Sequence, residues 1–463
     1  MSLRCALVIM VVLFSKCLGR RPPHIIFIVA DDLGWNDVGW HNPKMHTPNL
    51  DYLAYHGVIL NSSYVQYVCT PTRSCFMTGR YPFRIGMQHG VIKPLDPNFL
   101  PEDIGTLPKN MKSLGYSTHI IGKWHLGYCN WKYTPTYRGF DSFYGFYGGS
   151  ENYYTHTRAK RFDFRFNTSV FHPPEIKYSA ELFAHRAIDI INTSDPESQP
   201  LYLYIAFQSV HGPLQVPEQY ENIYQNISSS RRKKYCGMVS ALDEAVGRIT
   251  NALQVRGYMD NALIVFTTDN GGCVQKAGRN FPLRGGKGSL WEGGTKGVAF
   301  VYSESETILK KTRYVNNEMI HAVDWFPTLL SIAGGTPDPT LDGVNQWQAI
   351  SAGARSLRSE FVYNIDEVDN RSAIRVGKYK LIQGQRDHWY YGKDPQPEFR
   401  LFDLNKDPFE HEDIAEQETH IVKKLKERLE FYRKTLVPAN IGYHRKLADP
   451  KLFDLDNLSP GWC

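Results

Sequence analysis

Two apolar runs in this chain end in the same kind of chemistry. HIIFIVA, residues 24 to 30, leads directly into Asp31 and Asp32, and ALIVFTT, residues 262 to 268, leads directly into Asp269 and Asn270. All four side chains carry oxygen donors, and the three aspartates are anionic at neutral pH. Brought to one point, they suit a hard divalent cation, Ca²⁺ or Mg²⁺, better than zinc, which prefers histidine and thiolate. Asp or Asn after a strand is also an ordinary turn or capping residue. Two such pairs placed alike behind two apolar runs favour the metal.

A third feature is YVCTPTRSCFMTGRY, residues 67 to 81. Cys69 stands at the head of a short predicted helix, with Pro71 in its first turn and Gly79 at its end. Unpaired N–H groups and the positive end of the helix dipole favour an anion there, and Arg73 adds a guanidinium. The result is a cradle for a tetrahedral oxyanion such as sulfate or phosphate. From the residues alone, Cys69 has three readings: a disulfide partner, the nucleophile of a hydrolase, or the precursor of another group.

These residues need a frame that brings them together. The runs at 24–30, 116–121, 201–207 and 262–268 are continuously apolar or β-branched, as in parallel strands covered on both faces. Between them lie helical patterns. One starts at Thr47 as N-cap, with Pro48 in the first turn, and stops at Gly57; others span about 178 to 192 and 231 to 256. The alternation predicts a doubly wound α/β sheet, in which residues after parallel strands gather along one edge. Residues 128–175, rich in Tyr, Phe, Gly and Arg without a period, read as a long surface excursion near the sheet's edge and part of a substrate wall. From about residue 340 the pattern changes to EFVYNI, SAIRV, KYKLI and FRLFDL, followed by a charged helix at about 418–435. That predicts a smaller antiparallel sheet with a helix packed on it.

The 463 residues are 42% hydrophobic and 13% aromatic, enough for a large core and more than one domain. The net charge of +6 is modest, compatible with an acidic polysaccharide and no sign of nucleic-acid binding. Arg4, the apolar run ALVIMVVLF, and the small residues Cys17 and Gly19 read as a secretory signal peptide over 1–19. No later segment approaches the roughly 18 apolar residues of a transmembrane helix. Sequons at Asn61, Asn167, Asn192, Asn226, Asn370 and Asn457 fit that route. Cys5 and Cys17 leave with the leader. Cys69, Cys75, Cys129, Cys236, Cys273 and Cys463 remain, an even set that suggests disulfides unless Cys69 has another fate.

The motif C-T-P-T-R matches the C-x-P-x-R signature of the sulfatase family. The resemblance extends through IVADDLGWNDVGWHN, GYSTHIIGKWHLG, QSVHGPLQVPEQY, TTDNGG, PLRGGKGSLWEGG and LFDLNKDPFE, and so spans nearly the whole mature chain. It is weakest over 128–175 and 436–463. It implies an alkaline-phosphatase-like fold: a large mixed, mostly parallel sheet flanked by helices in a catalytic domain over 20–340, and a smaller C-terminal α+β domain over 341–463. It further implies that a formylglycine-generating enzyme oxidises Cys69 to formylglycine. Asp31, Asp32, Asp269, Asn270 and the modified Cys69 are then implied to bind one Ca²⁺. Arg73, Lys123, His125, His211 and Lys287 complete the implied catalytic set. In that scheme His211 is the general acid, His125 the base, Lys123 and Lys287 hold the sulfate, and Arg73 holds the formylglycine.

The implied substrate is a sulfated sugar, above all N-acetylgalactosamine 4-sulfate units of glycosaminoglycans, or an aryl sulfate, met in the lysosome or after secretion. Two rivals are a phosphoesterase of the alkaline-phosphatase-like group, which would use Ser or Thr and two zinc ions with histidine ligands, and an inactive binder of sulfated glycans.

Overall fold

The strand His24–Ala30 lies in the middle of a ten-stranded sheet, and every one of its residues is buried. The computed structural model describes residues 21–158, 160–175, 177–385, 397–441 and 459–463. The predicted leader and Asn457 lie outside the described residues. Across the sheet the strands run in the order Tyr314–Asn316, Val58–Leu60, Ala299–Tyr302, Ala262–Thr268, His24–Ala30, Leu201–Ala206, Ser117–Lys123, Ser142–Phe146, Arg165–Phe166 and Ser169–Val170. The five strands from 262–268 to 142–146 are mutually parallel, and 299–302 and 165–166 pair antiparallel on either side.

Residues of the central strand alternate between two cores. Ile25, Phe27 and Val29 pack with Phe76 and Met77, with Trp325 and Leu329, and with the C-terminal sheet. Ile26, Ile28 and Ala30 pack with the helices Pro48–His56, Ser179–Thr193 and Ser230–Val255. A strand with a covered face on each side must be apolar at every position, which is why its sequence shows no alternation.

Register then decides the site. The strands 24–30 and 262–268 pair from His24–Ala262 to Ala30–Thr268, so Asp31 and Asp269 leave the sheet side by side. On the other flank, Val29 pairs with Ala206 and Ala206 with Gly122, which brings Lys123 and the turn after residue 206 to the same edge.

The C-terminal strands Glu360–Asp366, Arg371–Val376, Tyr379–Gln383 and Phe399–Asp403 form an antiparallel sheet in sequence order, and Thr419–Arg433 packs on it. Among the described residues, no helix is long and apolar enough to cross a membrane.

Three expectations change. The segment 128–175 is not only a surface excursion. It contributes Ser142–Phe146, a full parallel strand, and two short strands that extend the sheet edge. Thr47 does not cap its helix by its side chain. Its hydroxyl donates to Asp51 and accepts from the Gly39 amide, tying the helix start to the loop that precedes it. Of the six retained cysteines, Cys129 and Cys463 form a disulfide, while Cys69, Cys75, Cys236 and Cys273 are free thiols.

Candidate active site

The helix Cys69–Thr78 begins where the central strands end. Gly79 closes it with φ 66°, and all ten of its residues are buried. Cys69 is thus the first residue of the helix, held in the interior by a fully covered first turn. Thr72 turns its hydroxyl onto the backbone carbonyl of Asp269 and fastens the helix to the end of strand 262–268.

Asp31, Asp32, Cys69 and Asp269 present ligand atoms that all lie within 4.8 Å of one another, and all four residues are buried. The Cys69 thiol lies 3.6 Å from Asp31 Oδ1 and 3.4 Å from Lys287 Nζ. Cations stand around the carboxylates. Lys123 Nζ is 2.5 Å from Asp31 Oδ2, and Lys287 Nζ is 2.6 Å from Asp32 Oδ1. Arg73 donates to Asp269 Oδ2 through Nε at 3.1 Å and through its terminal nitrogen at 2.8 Å, and also to the Lys123 carbonyl. Asn270 donates its amide to Asp32 Oδ1 at 2.7 Å and leaves its own Oδ1 buried with no donor. An orphaned acceptor beside three carboxylates is the donor set of a hard cation.

The two histidines have defined free nitrogens. His125 follows strand 117–123 in a left-handed conformation, φ 59°, and its Nε2 meets the Ile92 carbonyl at 2.9 Å. Nε2 therefore carries the proton, and Nδ1, buried without a partner, is the acceptor. His211 is the mirror case. Its Nδ1 meets the Gly212 carbonyl at 2.6 Å, and its Nε2 lies 3.8 Å from Asp32 Oδ2.

Charge and burial set the protonation states. Burial alone would raise the Asp31 and Asp32 carboxyls, but Lys123, His211 and Arg73 around the first, and Lys287, His211 and Asn270 around the second, hold both below the ordinary range. Burial, with Asp269 and Asp31 beside it, pushes the Cys69 thiol up to about 12. Burial and then Lys123 and Arg73 hold His125 well below the ordinary imidazole range, and burial and then Lys287 lower His211. An unmodified Cys69 in this setting is a protonated thiol, not a thiolate nucleophile.

All ten residues singled out in the sequence thus meet at one edge of the sheet, with His125 reaching the group through its neighbours Lys123 and Thr70. Several other residues were missed. Thr72 reads as a spacer within C-T-P-T-R; its one signal is a hydroxyl residue in a first helical turn. Ser150 has a buried, unpartnered hydroxyl next to Gly149, whose backbone lies against the His125 ring. Gln208 and Tyr153 hold the His211 turn. In sequence, a tyrosine among many tyrosines gives no such signal.

The chain belongs to the sulfatase family, hydrolases of sulfate esters, and this fold and edge-of-sheet cluster agree with that class. Residues 23–335 match the family described as Sulfatase, and residues 302–435 match the one described as N-sulphoglucosamine sulphohydrolase, C-terminal. Arylsulfatase J of Mus musculus is 39% identical over 94% of this chain and 79% of its own length. Arylsulfatase A of Homo sapiens is 32% identical over 84% of this chain and 83% of its own. Among solved structures, Ps i-CgsB in complex with k-i-k-neocarrahexaose superposes with a TM-score of 0.82 at 29% identity, covering 91% of this chain and 94% of that one.

Proposed function

We propose that this sulfatase removes sulfate from a sulfated sugar, in the first place N-acetylgalactosamine 4-sulfate units of glycosaminoglycans, or from an aryl sulfate, with a formylglycine made from Cys69 and one bound Ca²⁺. The observation that carries the reading is the convergence of Asp31, Asp32 and Asp269 on Cys69, with the orphaned Asn270 Oδ1 beside them. Those five residues would hold the cation. When bound, it offsets charge on the sulfate oxygens, while the hydrated aldehyde supplies a hydroxyl nucleophile that a thiol at this pKa does not.

The remaining residues bind, orient and move protons. Lys287 and Lys123 reach the cluster on different carboxylates, Asp32 and Asp31, and hold sulfate oxygens. Arg73 spans Asp269 and Asp31 and fixes the carboxylates that position residue 69. His211 keeps its Nδ1 proton on the Gly212 carbonyl, so it acts as donor in its imidazolium form, whose second proton sits on Nε2, the nitrogen facing Asp32, and passes to the departing oxygen. His125 takes a proton at Nδ1, the nitrogen left free by its bond to Ile92. The carboxylate cluster contains no histidine ligand, which supports sulfate over a two-zinc phosphoesterase.

The same reading places the chain in the secretory pathway, in the lysosome or outside the cell, where a formylglycine-generating enzyme acts on Cys69 during synthesis. It also divides the chain into a leader over 1–19, a catalytic domain over 20–340 and a C-terminal domain over 341–463.

The decisive experiment is mass spectrometry of the tryptic peptide that contains residue 69, from protein made in animal cells. The expected product is an aldehyde that reacts with a hydrazide. An intact thiol in a preparation that cleaves sulfate esters ends the reading. Paired assays of a sulfate ester and the matching phosphate ester separate the phosphoesterase, and glycan binding without sulfate release identifies a mere binder.

A further inference from the structure

The segment from Phe146 to Tyr153 runs from the end of strand 142–146 past both histidines of the site. At its start, the Phe146 carbonyl accepts from the Trp124 amide and the Tyr147 carbonyl from the His125 amide, both at 3.1 Å. The buried Asp163 accepts from the Tyr147 and Gly148 amides at 3.0 and 2.8 Å and fixes the bend that follows. Gly149 then lies so close to the imidazole that a Cβ there would sit 2.7 Å from His125 Nε2.

At its far end the segment grips the turn that bears His211. The Gln208 side chain pairs with the backbone of Glu151 in both directions, accepting at 2.6 Å and donating at 2.9 Å, as a neighbouring strand would. Tyr153, fully buried, points its hydroxyl at the carbonyls of Gln208 and His211, at 3.1 and 2.8 Å. The Gln208 carbonyl also accepts the His211 amide at 2.8 Å and closes the turn. The Tyr153 amide in turn donates to Gln215, beyond the turn, at 3.0 Å.

We infer that Tyr153 is a positioning residue for His211, and that the Phe146–Tyr153 strap sets the spacing of the two histidines across the site. A hydroxyl whose one proton is shared between both carbonyls, closer to that of His211, fixes the tilt of the turn, and a misplaced proton donor loses much of its effect. The inference deepens the reading of His211 as proton donor and rests on it.

The test is a double-mutant cycle of Tyr153→Phe and His211→Ala in aldehyde-bearing enzyme, read on phenyl sulfate, whose leaving group is as basic as a tyrosine side chain, at about 10. Tyr153→Phe is expected to lower kcat about 10-fold with KM within about 2-fold, and to lower kcat less than about 2-fold in the His211→Ala background. Losses that multiply in the double variant, a kcat equal to wild type, or a change confined to KM each overturn it. Should Tyr153→Phe fail to accumulate, Gln208→Leu cuts the same strap and is scored by the same rule. The donor reading is judged separately: His211→Ala should lose more on phenyl than on 4-nitrophenyl sulfate. An equal loss rejects the donor role without touching the coupling between the two positions.

Discussion

Two of the buried charge clusters among the described residues are built in opposite ways. Around Cys69, the carboxylates of Asp31, Asp32 and Asp269 face inward on one point, and their cations stand on the outside, on Lys123, Lys287 and Arg73. On the inner side of the C-terminal sheet, Glu292 and Glu410 instead share a central cation. Lys380 Nζ lies 2.9 Å from Glu292 and 2.7 Å from Glu410, itself fully buried. The hydroxyls of Tyr64 and Tyr363 donate to Glu292, each at 2.8 Å, and the Lys380 ammonium stands over the Tyr363 ring at 4.1 Å. The second cluster brings its own positive centre and ties the C-terminal sheet, through Lys380 and Tyr363, to Glu292 and Glu410. The first leaves Asn270 Oδ1 without a donor beside three carboxylates, a donor set that a cation from outside would complete. Burial of charge is therefore not by itself a sign of chemistry; what matters is whether the cluster is closed by its own side chains.

The comparison breaks most sharply at its two centres. Cys69→Ala should lower sulfate-ester turnover by about 1000-fold or more while moving the melting temperature by only a few degrees, because alanine fits the space and the thiol makes two long contacts, to Asp31 and Lys287, each of which has a stronger partner. Activity like wild type would place the chemistry elsewhere. Lys380→Met should do the reverse. Removing the one cation between two buried glutamates should cost about 3–5 kcal/mol in denaturant unfolding, with kcat per folded molecule within about 2-fold. Unchanged stability would show that the glutamates do not need their lysine, and the distinction between the clusters would fall.

Much of this contrast is legible in the sequence, for a physical reason. His24–Ala30 and Ala262–Thr268 have the bounds read from sequence, because a strand buried on both faces is apolar or β-branched along nearly all of its length and stops where the first carboxylate appears. Asp31, Asp32, Asp269 and Asn270 inherit that clarity. Ser142–Phe146 was not legible. Its Gly145 reads as a turn residue, whereas a Cβ there would lie 2.1 Å from the Gly122 carbonyl, so glycine marks a close approach of two strands. Lys380 was not legible either. A lysine in the run KYKLI reads as an outward-facing residue, and its partners Glu292 and Glu410 are remote in sequence; only tertiary packing turns it inward. The grip of Tyr153 on the His211 turn likewise exists only once the chain has folded.

A smaller effect sharpens the open side of the comparison. Asn270→Ala removes the orphaned acceptor and the donor to Asp32, while the three aspartates stay. After chelation, calcium titrated back into the wild-type protein should raise its melting temperature, since a ligand bound only by the folded state stabilises it. The variant should need about 10-fold more calcium for the same rise, in keeping with the loss of one ligand or its support. Identical titrations would remove Asn270 from the site.

The smallest expected effect tests the closed side through pH. Burial, with Glu292 beside it, pushes the Glu410 carboxyl up to about 7, although Lys380 pulls the other way; burial would also raise Glu292, but Lys380, Lys296 and Arg375 hold it down at about 2. Unfolded, both glutamates titrate near 4.3. The signs are therefore opposite. Below the unfolded value Glu410 is protonated in both states and contributes fully; as pH rises toward 7 the unfolded chain releases that proton first, so this contribution is lost. Glu292 contributes above the unfolded value, and its share is lost as pH falls toward 2. Glu410→Gln keeps an acceptor for the Glu292 amide, 2.6 Å away, but cannot ionise. Its melting temperature should fall less than that of wild type between pH 4.5 and 7, by a difference of a few degrees at most. If the two proteins lose stability in parallel over that range, the proton on Glu410 is not what closes the cluster, and the lysine alone must do so.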